Sequence, residues 1–231
     1  MKISLGIGAA LLLLCLPCRP AFAGQDVYLL GGATLSNLGG DAAAFGDALA
    51  AGIESTIGGS WSSQKKMRTG FDVGLGLGYS KTGPVGGAAE IRYVARGVKW
   101  DINELTGSGI KLDTSMKLAY VEIPLLMRVM PQSAGKVHPL FLVGPVLGIR
   151  ASSTFNAKGP GGSASNSVSD IMKSTYFAGL LGAGINIRTA ERSSLLLQAR
   201  YQLGLSNLID DPTFSAKPQD FSFLTGYSVG F

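Results

Sequence analysis

Five charged residues carry most of the chemistry this sequence offers: Asp72, Glu90, Arg92, Glu122 and Arg200. Each lies in a stretch whose apolar residues recur at every second position, and each falls on the polar side of that alternation. Counted from the ends that short turns join, all five stand about 5 to 8 residues in, beside Gln198 and Gln202. Three carboxylates and two guanidiniums at one height carry a formal charge of −1, and planar guanidinium forks suit bidentate pairing with carboxylates. Two kinds of chemistry fit such a set. One is an ion path or gate. The other is a paired polar filling of an enclosed space, because buried charges must be paired, and that is the expectation. Arg128, Arg150 and Arg188 fall on the same face.

Catalysis finds little support. His138 is the only histidine; it is expected in a turn beside Pro139, with Ser133 the only hydroxyl near it. Without a second histidine or a cysteine in the mature chain, a zinc site has no ligand set. FDVGLGLGYS places glycines at alternate positions, whereas a phosphate loop needs them between a strand and a helix. No catalytic, cofactor-binding or metal-binding residue is assigned, and the chain is expected not to be an enzyme.

The elements that position the charged set come from period-two patterning. FDVGLGLGYS sets Phe71, Val73, Leu75, Leu77 and Tyr79 against Asp72, Gly74, Gly76, Gly78 and Ser80. LLLQARYQLGLS and the final DFSFLTGYSVGF sort the same way, with Leu224 the exception. Eight strands are predicted, at 27–36, 69–80, 85–98, 115–130, 139–154, 174–188, 194–206 and 220–231. Long connections alternate with short turns such as KTGP, PQSAGKVH and TAERS. That is the layout of an eight-stranded antiparallel up-and-down transmembrane β-barrel with both termini on the periplasmic side. Pro124 and Pro145 fall inside strands and predict a bulge or a weakened ladder there. In the first loop Phe45, Leu49, Ile53 and Ile57 recur every fourth residue, predicting a short helix capped by Asp41. GPGGSASNSVSD (159–170) has the composition of a disordered loop.

A soluble barrel and a membrane barrel alternate with opposite faces inside. The polar row decides between them, because it holds Gly74, Gly76, Gly78, Gly182, Gly184, Gly226 and Gly230 rather than Lys and Glu. Small residues suit the narrow lumen of an eight-strand barrel. The mature lysines are expected in loops, turns or strand ends, since an ammonium at mid-bilayer costs roughly 2–4 kcal/mol. Tyr79, Tyr93, Tyr201, Tyr227, Phe141, Phe221 and Phe231 share the apolar face, as an interfacial girdle requires.

Export is expected as well. Lys2, the apolar run Leu5 to Leu16 and AFA at 21–23 form a signal peptide over 1–23, cleaved after Ala23, and it takes Cys15 and Cys18 with it. Removing Lys2 and Arg19 from the 20 basic residues leaves 18 against 15 acidic, a net charge of +3. That small, scattered excess argues against a nucleic-acid partner. The barrel domain then spans 24–231, and the Tyr227, Val229, Phe231 spacing is expected to be the C-terminal signal for the barrel assembly machinery. Expected partners are outer-membrane lipid and lipopolysaccharide, with Asp210 and Asp211 a candidate pair for a bridging divalent ion. The expected state is a monomer.

GGATLSNLGGD (31–41), YVEIPLLMRV (120–129), PLFLVGPVLGIRAS (139–152) and QARYQLGLSNL (198–208) resemble the PorT-like family of outer-membrane β-barrel proteins. The resemblance implies an eight-stranded barrel in a Gram-negative outer membrane, with no common catalytic residues. The expected work is that of a plugged barrel presenting four extracellular loops for binding or envelope interaction. A small passive pore is the alternative, and a soluble periplasmic lipocalin-like barrel the third.

Overall fold

The computed structural model describes residues 24–80, 83–106, 110–131, 135–169, 172–210 and 215–231. The expected signal peptide, Ser133 and Asp211 lie outside the described residues.

The alternating stretches form β1 (Gln25–Gly40), β2 (Trp61–Tyr79), β3 (Val85–Glu104), β4 (Lys111–Val129), β5 (Val137–Gly159), β6 (Gly162–Ser167), β7 (Thr175–Ala190), β8 (Ser193–Gly204) and β9 (Ala216–Gly230), with one helix, α1 (Ala42–Ile57). Neighbours pair antiparallel, β1 pairs with both β2 and β9, and β4 with β5. The sheet therefore closes into a ring of eight strands, as the patterning predicts. The ninth strand, β6, lies outside the ring as a hairpin on β5, from Gly159↔Gly162 to Thr154↔Ser167. This corrects the disordered loop expected at 159–170. The small Ser, Gly and Asn residues that mimic a linker leave a backbone free to continue the ladder.

The strands also run further than expected. β2 begins at Trp61, β3 continues to Glu104 and β5 to Gly159. Lys65, Lys66, Lys99 and Lys117, expected in loops or at strand ends, stand inside strands, the first three in this extension. The extension lies at the end of the ring that carries α1 and the long connections. The other end holds Gly24, Phe231 and the short turns.

One face of each membrane strand is bare hydrocarbon. Leu75, Ile91, Phe177, Leu181, Phe223 and Tyr227 are all more than half exposed, and a soluble monomer rarely shows apolar surface on that scale. Inside, glycines make room for large side chains. A Cβ at Gly76 would overlap the Tyr28 ring, and one at Gly78 would overlap Arg128 and Asp26.

Proline acts where the sequence places it, in part. The β4–β5 ladder skips Leu125 and Leu126 opposite Pro145 and Gly144, yet register is kept, with Pro124 facing Val146 and Met127 facing Val143. Proline has no N–H to donate. The bulge itself is elsewhere, where Ala119 faces Ser152 and Tyr120 faces Arg150.

Candidate functional site

Strand parity delivers charged side chains into the lumen at one level. On β3, Glu90, Arg92 and Arg96 point inward at even spacing, and Arg92 sits directly across from Glu122 of β4. β2 contributes Asp72, β8 Gln198, Arg200 and Gln202, and β9 Asp220, which faces Gln202. All are buried.

Glu122 is the hub. Arg92 Nη2 donates to its Oε2 at 2.6 Å and to Gln202 Oε1 at 3.1 Å. Glu122 Oε1 accepts from Arg96 Nη2, from the Tyr176 hydroxyl and, at 3.1 Å, from Gln202 Nε2. Arg92 Nη1 stands 3.3 Å from Asp72 Oδ2. Arg96 Nη1 pairs with Asp220 Oδ2 at 2.6 Å, and its guanidinium lies 5.4 Å from the Tyr120 ring centre and 5.3 Å from that of Tyr176. Each ring face favours a cation in such a desolvated place.

Arg200 belongs to a second group. Its fork meets Glu90 at 2.6 and 2.8 Å, Tyr28 donates to the same carboxylate at 2.7 Å, and Arg200 Nε donates to Gln198 at 2.9 Å. The structure thus brings all five sequence-chosen residues into the lumen, in two pairings: Asp72–Arg92–Glu122 and Glu90–Arg200. Arg96 and Asp220 join the first, so the set becomes four carboxylates and three guanidiniums. The excess of one carboxylate is the same as in the five alone.

Other inward candidates go elsewhere. Arg128 pairs with Asp26 at 2.8 Å near the termini. Arg150 donates to the Ser169 carbonyl at 2.8 Å and to that of Met172, tying down the β5–β7 connection. Arg188 is exposed at the β7–β8 turn, not in the lumen. His138 is the second residue of β5 rather than a turn residue, opposite Asn186. Asp210 is exposed. Among the described residues no group of three or more His, Cys, Asp or Glu could hold a metal ion.

Toward the loop end the lumen turns apolar. Val98, Trp100, Met116 and Leu118 fill it, and α1 lies over them. Phe45 packs on Trp100 with ring centres 5.4 Å apart, and Trp100 Nε1 donates to the Ala42 carbonyl at 2.9 Å. The expected Phe45, Leu49, Ile53, Ile57 stripe is only the flank of the buried face. Ala42, Gly46 and Ala50 are buried while Ile57 is 66% exposed. Small residues let the helix lie close, and a Cβ on Gly46 would crowd Trp100 and the Ser63 hydroxyl. Asp41 makes no side-chain cap; its Oδ2 accepts from the Ser215 N–H at 2.9 Å, tying α1 to the last loop.

Several side chains of the filled section have no accessible surface. Val98, Tyr120, Glu122 and Leu140 each have 0% of their surface accessible. At the strand ends Tyr227, Val229 and Phe231 point outward and are exposed, and the Phe231 N–H donates to the Gln25 carbonyl at 3.0 Å.

Several solved structures are similar to this chain. The outer membrane protein OprG from Pseudomonas aeruginosa is 13% identical, with 91% of this chain and 97% of that chain covered and a TM-score of 0.48. The Neisserial surface protein NspA is 11% identical over 89% and 97%, with a TM-score of 0.44. Ail, the attachment invasion locus protein of Yersinia pestis, is 17% identical over 89% and 99%, with a TM-score of 0.40. No curated protein sequence matches. The family model described as outer membrane protein beta-barrel domain matches residues 42–210. With most of the chain matched, a ring of eight strands closed and an apolar belt around it, this chain belongs to the outer membrane protein β-barrel family, whose place is the bacterial outer membrane.

Proposed function

We propose that the protein is a non-enzymatic, plugged outer-membrane barrel that presents its loop end for binding or envelope interaction. The observation that carries this reading is the lumen. Paired charges fill its middle, Trp100 and its neighbours fill the section above, and α1 covers them. An eight-stranded ring is only wide enough for side chains to fill. What remains to meet a partner is the surface formed by the four connections of the loop end, of which one carries α1 and another the β5–β6 hairpin, while the β3–β4 connection spans only 105–110.

The PorT-like stretches support a place on that branch of the family. The outward row Tyr227, Val229 and Phe231 supports recognition by the barrel assembly machinery, and the sequence over 1–23 supports export by a cleaved signal. The protein works as a monomer in this reading, because the belt is satisfied by lipid alone.

Single-channel recording in a planar bilayer tests the plug, once a boiled-versus-unboiled gel shows that the refolded protein is a barrel. The expected trace has no discrete steps. Steady openings abolished by changing Arg92 or Glu122 would replace the plugged barrel with a gated pore.

A further inference from the structure

Just beyond the aromatic edge of the belt, the outer wall carries a cluster of cations that the lumen does not use. Lys66 and Lys99 face each other across β2 and β3. Lys117 on β4 stands diagonal to Lys99, since Lys99 faces Ser115 and Lys117 faces Gly97. Lys99 and Lys117 are exposed between buried neighbours, so they point outward, and Lys66 is exposed on the same face. Directly opposed residues have Cβ atoms about 4.5–5.5 Å apart and diagonal ones about 7–8 Å, and like charges at that range destabilise a sheet. The counter-charge on this wall is one row further out, where Asp101 binds Lys66 and Asp113 faces Lys158. Among the described residues neither Lys99 nor Lys117 has an ion pair.

The height of the cluster suits a lipid headgroup. Phe71 faces Ala95 and stacks on Tyr93 at 5.8 Å as the last exposed aromatic pair of these strands, with only Met67 a large exposed apolar side chain beyond it on β2. Gly97, opposite Lys117, is two residues beyond Ala95, and Lys99 is four beyond. At about 3.3 Å per residue the lysines stand roughly 7–13 Å along the strand from the belt edge. A headgroup phosphate of a lipid lying against the wall meets the protein at that level, while its acyl chains meet the belt.

We propose that Lys66, Lys99 and Lys117 form a lateral binding site for a phosphate of lipid A, the phosphorylated glycolipid of the outer leaflet. The site deepens the envelope interaction proposed above; it depends on the loop end facing outward and not on the lumen being closed. A phosphate dianion among three ammoniums converts their mutual repulsion into attraction, and lysine serves such a ligand as a point charge.

The test uses the refolded full chain in non-ionic detergent, its folding checked by heat-modifiable mobility. That check separates a failed barrel from a failed site. Native mass spectrometry measures binding of bis-phosphorylated lipid A to the wild type, to Lys99→Gln, to the triple variant Lys66→Gln/Lys99→Gln/Lys117→Gln, and to Lys136→Gln at the opposite end. The expected losses are about tenfold or more for the triple variant and about threefold for Lys99→Gln, with none for Lys136→Gln. Lipid A stripped of its phosphates should bind the wild type no better than the triple variant binds lipid A. In lipid-free detergent Lys99→Gln should melt higher than the wild type, because it removes a repulsion. Equal binding of lipid A by the wild type and the triple variant overturns the proposal. So does equal competition by phosphatidylglycerol or by inorganic phosphate, which would reduce the cluster to a general anion patch. Should the triple variant not fold, Lys99→Gln decides alone.

Discussion

Glu122 accepts from four side chains on three strands, Arg92, Arg96, Tyr176 and Gln202. Replacing it with leucine removes a buried anion and leaves two guanidiniums without that partner. Glu122→Leu should cost roughly 3–5 kcal/mol, read as a fall in the unfolding midpoint in detergent. An unchanged midpoint would mean that the lumen pairs do not hold the strands. Sequence patterning reaches the right residues here but not the right partners. It makes Arg200 as good a partner for Glu122 as Arg92, whereas the closed ring gives Arg200 to Glu90. Parity already places Arg96 on the face of Glu90 and Arg92. A count of height from the turn end stops short of it, because it lies four residues beyond Arg92. Its partner Asp220 is on β9, and only ring closure brings the two together.

The strand extensions hide for a physical reason. Along β3, Ile91 and Tyr93 face out and Glu90 and Arg92 face in, but higher up Val98 and Trp100 face in and Lys99 faces out. The apolar face changes sides where lipid gives way to water, so one strand reads as a strand followed by a polar loop. The helix was legible by its period of four, yet its buried face is built from Ala42, Gly46 and Ala50. Small residues give little signal in a hydrophobicity pattern, although they let a helix approach closest. Trp100→Ala should cost about 3–5 kcal/mol as a large-to-small change in a packed core. It should also expose α1 to limited proteolysis between residues 41 and 60 while the heat-modifiable band persists. Protection of α1 equal to the wild type would show that the helix does not depend on Trp100.

For the molecule as a whole, the ring closes without its attachments. Among the described residues β6 pairs only with β5. Deleting residues 160–167 and joining the flanks with a short Gly-Ser link should leave heat modifiability intact and change the melting midpoint by no more than a surface substitution does, within about 0.5 kcal/mol. Loss of the folded band would make the hairpin part of the barrel proper. Closure has a different logic, since it joins the first strand to the last. Ser228 reaches Asp26 at 2.9 Å across 202 positions of sequence. Contacts so distant in sequence form late and slowly. A ribosome that has made β1 to β8 has made nothing that can seal, and each intermediate would present two open sheet edges and a greasy outer wall. The pairing of β1 with β9 is therefore the contact that hides both edges at once.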